Sequence, residues 1–267
     1  MNRYDYVDRI ACLHEDFDQI LKGKHIVIRG QKKGQFFNLF RRHTQKKVVP
    51  ASTAKIFLLN SLLEHQVDLT KRIEVLPSDI SKGSGNNLVV GESYLVKDLL
   101  INLMTASSNT SAVVLARYLS EYIQRPYVEY INQKNESLGL TNTNLVNEHG
   151  LAHKFQYTTL DDLTHFLDKK IADQNFLNFM KTPQYEFSSS SGHQVTIENT
   201  YTELDANVHL GVKTGTLVPG VYNIIVFFKI KDVSFYIVDF YNESYEARNQ
   251  DIAQAIYAIQ NKMGWLI

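Results

Sequence analysis

Apolar and polar residues recur along this chain with two different periods. Over residues 4–21 the apolar positions return every three or four residues, which predicts a helix. Residues 25–29 and 35–40 are instead typical of strands, and the polar, glycine-bounded stretch 30–34 between them predicts a tight connection. The chain therefore begins with a helix followed by two strands.

The helical period returns in the middle of the chain and gives way to strands near the end. Residues 52–65 carry one apolar stripe, and residues 96–167 are predicted to be largely helical. Three strands and one closing amphipathic helix follow, at residues 208–217, 222–231, 233–241 and 245–263, and Val, Ile, Phe and Tyr dominate the last two strands.

Strands from both ends of the chain thus flank a helical insert, and this order predicts an α+β fold. We expect one antiparallel sheet covered by the terminal helices, packed against an all-helical subdomain, within a single domain spanning 1–267. Residues 1–50 and about 205–267 would form the α/β part, and about 51–200 the helical part. A site is expected in the cleft between them.

Composition narrows the class of partner. The 267 residues include 28 Lys plus Arg and 28 Asp plus Glu, a balance that gives no reason to expect a nucleic acid partner. The single cysteine, Cys12, excludes an intrachain disulfide. No apolar run is long enough to span a bilayer, and the N-terminus lacks signal-peptide features. A cytoplasmic monomer is expected, or an extracytoplasmic one if the chain is a trimmed mature form.

Ser52 and Lys55 form the first of three short motifs that could carry chemistry. Residues three apart share one face of a helix, so the Lys55 amine is expected near the Ser52 hydroxyl. A serine hydroxyl becomes a strong nucleophile when a neighbouring base takes its proton, and a lysine can do so if its pKa is depressed. The alternative is a helix-capping serine followed by a surface lysine.

The second motif is Ser107-Ser108-Asn109, which could equally be a polar loop between helices. In a functional reading, the Ser107 hydroxyl relays a proton and the Asn109 amide holds a substrate amide through its donor and acceptor.

The third motif lies on a predicted strand, where Lys213, Thr214 and Thr216 could bind a substrate carboxylate. Gly215 would let the substrate backbone approach closely. An ordinary strand ending in a glycine turn is the alternative.

Together the three motifs resemble the signature of the penicillin-recognising serine hydrolases, in which Ser-x-x-Lys, Ser-Asp-Asn and Lys-Thr-Gly occur in this order. Intervals of 55 residues from Ser52 to Ser107 and 106 from Ser107 to Lys213 resemble a class A β-lactamase over nearly the whole chain. The resemblance implies a β-lactamase/transpeptidase-like fold and a small-molecule or peptide substrate, either a β-lactam or a D-alanyl-D-alanine type of amide. It implies no cofactor and no metal.

The mechanism implied by the resemblance is acyl transfer. Ser52 attacks a carbonyl with Lys55 as base, Ser107 relays a proton to the leaving nitrogen, and the N–H groups of Ser52 and Thr216 form the oxyanion hole. Lys213 would also help to keep Lys55 neutral.

Two departures from the class A pattern leave alternatives open. Ser108 replaces the aspartate, as in D,D-peptidase relatives. Glu148 could be the general base for deacylation, yet its surroundings, through Gly150 and Leu151, resemble D-alanyl-D-alanine carboxypeptidases. The main interpretation is a β-lactamase-like serine hydrolase. The alternatives are a D,D-carboxypeptidase or other small-acyl peptidase or esterase, and a non-catalytic binding protein that has kept the fold.

Overall fold

The computed structural model describes residues 14–205 and 207–263, and its centre is a five-stranded antiparallel sheet in the order β2-β1-β9-β8-β7. Two further two-stranded sheets, β3-β4 and β5-β6, lie outside it. The strands are β1 His25–Lys32, β2 Gln35–Arg42, β3 Arg72–Glu74, β4 Ser93–Leu95, β5 Gln184–Ser188, β6 Gln194–Glu198, β7 His209–Leu217, β8 Val221–Ile230 and β9 Val233–Asn242.

Helices cover both faces of the central sheet. The helices are α1 at residues 14–20, α2 Lys55–Glu64, α3 Val96–Thr105, α4 Asn109–Ile123, α5 Tyr127–Ser137, α6 Leu160–Asp168, α7 Gln174–Asn178 and α8 Tyr245–Met263. Two 3-10 turns, Ala51–Ala54 and Pro77–Asp79, complete the described helical elements.

The side chains of β8 and β9 alternate between the two faces of the sheet, and the core is therefore divided into two layers. On β9, Val238 and Phe240 pack with the helical subdomain, whereas Phe235 and Ile237 pack with α1 and α8. Because successive side chains point to opposite faces of a sheet, a strand that is apolar at every position is buried on both faces. This explains why β8 and β9 are continuous apolar runs, and it confirms the predicted α+β architecture.

The expectation of an all-helical subdomain was wrong, because β3-β4 and β5-β6 lie within residues 51–200. The hairpin β5-β6 pairs Tyr185 with Ile197 and Phe187 with Val195, so one face of it is apolar. The period-two alternation in β6 was the sequence signal for this hairpin. The three-residue strands β3 and β4 are too short to show a period.

One predicted helix differs from the structure at its N-terminal end, and another is described only in part. The helix expected at 52–65 begins as the 3-10 turn Ala51–Ala54, and regular α-helix starts only at Lys55. Of the helix expected at 4–21, residues 14–20 are helical, while residues 4–13, including Cys12, lie outside the described residues. Within the described part of the chain, no helix has the length and apolar character needed to cross a bilayer.

Two side chains from the end of the sheet fix the chain that leads into α2. The Asn223 amide nitrogen donates to the carbonyl oxygens of Val49 (3.0 Å) and Pro50 (3.2 Å). The Tyr241 hydroxyl accepts from the Val49 N–H at 2.9 Å, and the Tyr241 N–H donates to the Asn223 side chain. These bonds anchor residues 49–50 to the sheet, and the following 3-10 turn is therefore held against β7 and β8.

Candidate active site

Ser52 lies in the 3-10 turn that enters α2, at the boundary between the sheet and the helical subdomain. Ala51 precedes it with a left-handed φ of 49°, a conformation that costs an L-residue roughly 1–2 kcal/mol. The Thr53 hydroxyl donates to the Pro50 carbonyl at 2.6 Å and closes the turn. Such strain at one residue is retained where the surrounding structure enforces it, as is common at functional sites.

The Lys55 amine is buried and touches three oxygen atoms. Its Nζ lies 2.8 Å from each of Ser52 Oγ, Asn109 Oδ1 and the main-chain oxygen of His149. The last two can only accept hydrogen bonds, whereas the serine hydroxyl can donate or accept. A neutral amine therefore fits this site well, because it donates to Asn109 and His149 and accepts from the Ser52 hydroxyl.

Burial is the largest cause of the low pKa of Lys55, and the Lys213 charge lowers that pKa further. The Glu148 carboxylate opposes both effects and raises it. The net direction is well below the ordinary lysine value, which favours the neutral form of the amine over the charged form. This arrangement meets the two requirements for a general base, namely contact with the nucleophile and an available lone pair.

The second motif begins with a strained residue and continues into a helix cap. Ser107 has a φ of 59°, and Ser108 caps α4 by accepting from the Ser111 N–H at 3.1 Å. The Ser108 hydroxyl also donates to the Gly85 carbonyl at 2.7 Å. The capping bond explains the serine at the middle position of the motif, since serine is among the best helix N-caps.

Both polar atoms of the Asn109 side chain are engaged within the protein. Oδ1 accepts from Lys55, and Nδ2 donates to the Lys82 carbonyl at 2.7 Å. A Cβ on Gly83 would lie 2.6 Å from that nitrogen, so glycine at this position leaves room for the amide. Asn109 thus positions Lys55, and its expected contact with a substrate amide remains a prediction.

Lys213 joins the second motif to the third. Its amine donates to Ser107 Oγ at 2.9 Å and is 1% exposed. Burial, together with the charge of Arg248, lowers the pKa of Lys213 to about 7. The Ser107 hydroxyl is consequently in contact with a titratable amine, as a proton relay requires.

Gly215 brings the β7 strand close to the nucleophile. A Cβ at this residue would lie 3.1 Å from the Ser52 nitrogen and 2.9 Å from the Pro50 oxygen. The strand therefore runs directly beside the turn of Ser52, and this supports an oxyanion hole between Ser52 and the neighbouring Thr216. The Thr214 hydroxyl instead bonds to that of Thr200 at 2.5 Å, while Thr216 stays partly exposed.

Glu148 lies near Lys55 but does not bond to it. Its carboxylate oxygen is 3.7 Å from His149 Nε2, and its influence on the pKa of Lys55 places it within electrostatic range of that amine. Burial raises the pKa of Glu148 itself, and the Lys55 charge lowers it. The structure therefore brings Glu148 to the edge of the Ser52–Lys55 pair and leaves its role in deacylation as a prediction.

Two residues at the site were missed by the sequence analysis. The main-chain oxygen of His149 binds Lys55, and a carbonyl contact carries no signal in the residue type. Arg248 on α8 is 1% exposed, its Nη1 meets no hydrogen-bond acceptor among the described residues, and its charge lowers the pKa of Lys213. Its position one turn before Ile252, on the predicted apolar face of the helix, was an available signal.

With this geometry in place, comparison with known proteins decides the family. A family model described as D-alanyl-D-alanine carboxypeptidase matches residues 15–238. The chain belongs to the D-alanyl-D-alanine carboxypeptidase family. This membership confirms the penicillin-recognising superfamily and a serine peptidase type of hydrolase, and it fits the carboxypeptidase alternative better than the β-lactamase-like main interpretation.

Curated relatives of this family are similar over part of their length. D-alanyl-D-alanine carboxypeptidase DacF of Bacillus subtilis is 24% identical over 188 residues, which cover 66% of this chain and 47% of DacF. The carboxypeptidase of Streptomyces sp. strain K15 is 28% identical over 178 residues, covering 61% of this chain and 60% of that protein. The matches thus span about half of DacF and somewhat more of the Streptomyces enzyme.

Solved structures in the family share the fold. The Streptomyces K15 DD-transpeptidase superposes with a TM-score of 0.78 at 21% identity, covering 89% of this chain and 97% of that one. The carboxypeptidase DacD from Francisella tularensis gives a TM-score of 0.77 at 18% identity, with 89% and 70% covered. At such identities the likeness shows the fold alone.

The two lysines of this family member should titrate as a coupled pair. With Lys55 as the predicted base, the rate of acylation should fall as pH drops through the pKa of that amine. Lys213→Ala removes a neighbouring cation, so the pKa of Lys55 should rise and the acid limb of the pH–rate profile should move to higher pH. First-order acylation rates at saturating penicillin, measured across pH, would show this shift. The control is Lys229→Ala, which replaces an exposed lysine on β8. An unchanged acid limb of the pH–rate profile in Lys213→Ala would disprove the effect of the Lys213 charge on the pKa of Lys55.

Proposed function

We propose that this protein is a D,D-carboxypeptidase that removes the terminal D-alanine from a peptide through an acyl-enzyme on Ser52. The observation that carries the proposal is the contact of 2.8 Å between the buried Lys55 amine and Ser52 Oγ. Family membership favours a peptidase over a β-lactamase. The intact set of Ser52, Lys55 and Lys213 opposes a non-catalytic binding role.

Acylation would move one proton and break one C–N bond. Ser52 Oγ attacks the carbonyl carbon of the penultimate D-alanine while its proton passes to Lys55 Nζ. The N–H groups of Ser52 and Thr216 stabilise the oxyanion that forms. As the intermediate collapses, the amine of the terminal D-alanine leaves and takes a proton through the Ser107 hydroxyl. The terminal carboxylate of the substrate would lie near Lys213 and Arg248, whose positive charges complement it.

Deacylation would transfer the acyl group to water. A water molecule attacks the ester carbon, its proton passes to a base, and the Ser52 hydroxyl is restored. Glu148 and Lys55 are two groups at this edge of the site that can take the proton. We assign the role to Glu148, because Lys55 Nζ has already taken the Ser52 proton and returns it to that hydroxyl, while the Glu148 carboxylate lies within electrostatic range of the amine.

The experiment that tests the proposed function measures release of D-alanine from a peptide ending in D-alanyl-D-alanine, with hydrolysis of a chromogenic cephalosporin followed in parallel. We expect D-alanine release that disappears in Ser52→Ala, and slow cephalosporin turnover. Fast cephalosporin turnover without D-alanine release would favour a β-lactamase. Transfer of the acyl group to an added amino acid in preference to water would favour a transpeptidase, and inactivity towards every probe would favour a binding protein.

Glu148→Gln should separate the two half-reactions. We expect acylation by penicillin to keep its rate within a small factor, while release of the penicilloyl group slows by about 10²-fold because the water loses its base. Pulse labelling followed by a chase resolves the two rates. Glu136→Gln, an exposed glutamate on α5, is the matched control. Unchanged release in Glu148→Gln would transfer the role of base to Lys55.

A further inference from the structure

Helix α8 carries two buried charged residues one turn apart, and they face different parts of the molecule. Arg248 and Asp251 are each 1% exposed. The charge of Arg248 reaches Lys213 at the active site. Asp251 Oδ2 accepts from the main-chain N–H groups of Lys22 (2.7 Å) and Gly23 (2.8 Å), in the segment that joins α1 to β1. These hydrogen bonds of Asp251 therefore fix the position of the turn of α8 that carries Arg248.

A second carboxyl group faces Asp251 from the sheet. Asp239 on β9 is 1% exposed and lies within hydrogen-bonding range of Asp251. Among the described residues, neither oxygen of Asp239, nor Asp251 Oδ1, has a well-aligned hydrogen-bond donor. The Asn242 amide lies beside Asp239 and lowers its pKa, but in the described part of the chain the nitrogen of that amide also lacks an aligned partner. Two ionised carboxylates could not hydrogen-bond to each other, so the pair lacks one donor, and a proton between them would supply it.

The space around the pair is closely packed. A Cβ on Gly23 would lie 1.7 Å from Asp239 Oδ1 and 3.2 Å from the Asn242 amide nitrogen. Glycine is therefore required where the α1–β1 segment crosses the two carboxyl groups. With the acids in direct contact and the backbone of Gly23 against them, a shared proton fits the site better than a cation, which needs room for several ligands.

The positive charges near the pair do not fully neutralise it. Arg42 on β2 lies close enough to lower the pKa of Asp239, but its guanidinium donates to the Leu21 and Gly23 carbonyls at 2.9 Å each. The Lys22 charge lowers the pKa of Asp251. Arg248 is influenced by the charge of Asp239 from its side of α8. None of these three cations forms a direct ion pair with Asp239 among the described residues.

We propose that Asp239 and Asp251 share one proton and thereby latch α8 to the sheet, which positions Arg248 beside Lys213. Asp239 is the proton-carrying partner and donates to Asp251, whose other oxygen holds the main chain at residues 22–23. When the shared proton is lost at high pH, two buried carboxylates repel each other, α8 loosens, and Arg248 withdraws from the carboxylate end of the site. The effect of Arg248 on the substrate rests on the proposed function, whereas the shared proton between Asp239 and Asp251 does not.

The pKa directions agree with this geometry. Burial first, and then the charge of Asp251, raise the pKa of Asp239 well above the ordinary aspartate value, and burial also raises that of Asp251. A pKa that is higher in the folded protein than in the unfolded chain gives stability that is complete at acid pH and is lost as pH rises through the folded-state value. The latch therefore weakens in the alkaline direction.

The test compares wild type with Asp239→Asn, whose amide can donate to Asp251 without a titratable proton. We expect the melting temperature of wild type to fall relative to the variant as pH rises from 5 to 9.5, by about 3–5 °C. At the alkaline end, the KM of wild type for a peptide with a free terminal carboxylate should exceed that of the variant by about tenfold, with similar kcat. Asp251→Asn should flatten the melting profile as well. Asp232→Asn, an exposed aspartate in the β8–β9 turn, should follow wild type.

Each contrary result overturns a defined part of the inference. Parallel melting profiles for wild type and Asp239→Asn would disprove the shared proton. A melting temperature that drops on addition of a chelator would also disprove it, because it would indicate a bound cation. Separated melting profiles with equal KM values would break the link from the latch to Arg248. Because melting needs no substrate, an inactive protein would refute the proposed function and still decide whether the proton is shared.

Discussion

Replacing Lys55 with methionine should slow the acylation of Ser52 by about 10³–10⁴-fold while leaving the fold intact. Methionine has nearly the length of lysine but carries no amine, so the Ser52 hydroxyl would lose its base. Because the amine is fully buried, an apolar side chain there should not lower the free energy of unfolding through desolvation. Stopped-flow acylation with a fluorescent penicillin measures the rate, and thermal unfolding measures the stability.

The matched control is Lys134→Met on α5. Lys134 is partly buried, with a pKa lowered to about 8 and an ion pair with Glu64, but its partners lie away from Ser52. We expect its acylation rate to remain near that of wild type. If Lys55→Met kept most of its acylation rate, another group would have to deprotonate Ser52, and the assignment of the base would be wrong.

Gly150→Ala should disrupt both stability and activity, because this glycine packs against the nucleophile's turn. Its φ is +89°, and a Cβ would lie 1.9 Å from the Ala51 oxygen and 3.0 Å from the Ser52 nitrogen. The loop that supplies the His149 carbonyl to Lys55 would have to move away. We expect the free energy of unfolding to fall by about 3 kcal/mol or more, and acylation to fall by at least about tenfold. Chemical denaturation and penicillin labelling measure the two effects.

Gly139→Ala separates strain from contact. Gly139 has a similar φ of +81°, but a Cβ there would meet no atom within 4 Å. This variant should lose only the cost of a left-handed alanine, about 1–2 kcal/mol, and should acylate normally. Equal losses of stability and activity in the two variants would mean that the contact with Ala51 and Ser52 is unimportant.

The sequence revealed those parts of the fold that depend on periodicity. The final helix was predicted to begin at Tyr245, where it begins in the structure, and four buried apolar residues recur along it at helical spacing. The apolar runs of β8 and β9 were likewise visible, since both faces of these strands are buried. By contrast, β3 and β4 are three residues each and are far apart in the sequence, so no local pattern predicts them.

The sequence could predict those parts of the candidate site whose chemistry depends on the type of side chain. Ser52, Lys55, Ser107 and Lys213 were predicted from motif order, and the structure brings them together in two contacting pairs. The carbonyl of His149 could not be found, since every residue has one. The bond of Thr214 to Thr200 depends on which face of β7 turns inward, and the shared position of Asp239 and Asp251 depends on how α8 docks.

The central claim is that Ser52 forms the acyl-enzyme, and mass spectrometry of the penicillin-treated protein tests it most directly. After incubation with benzylpenicillin, the intact chain should gain the mass of one penicilloyl group, and fragmentation of a proteolytic peptide should place that group on Ser52. Ser52→Ala should gain no mass. An adduct located on any other residue, or no adduct on a folded wild-type chain, would contradict the account.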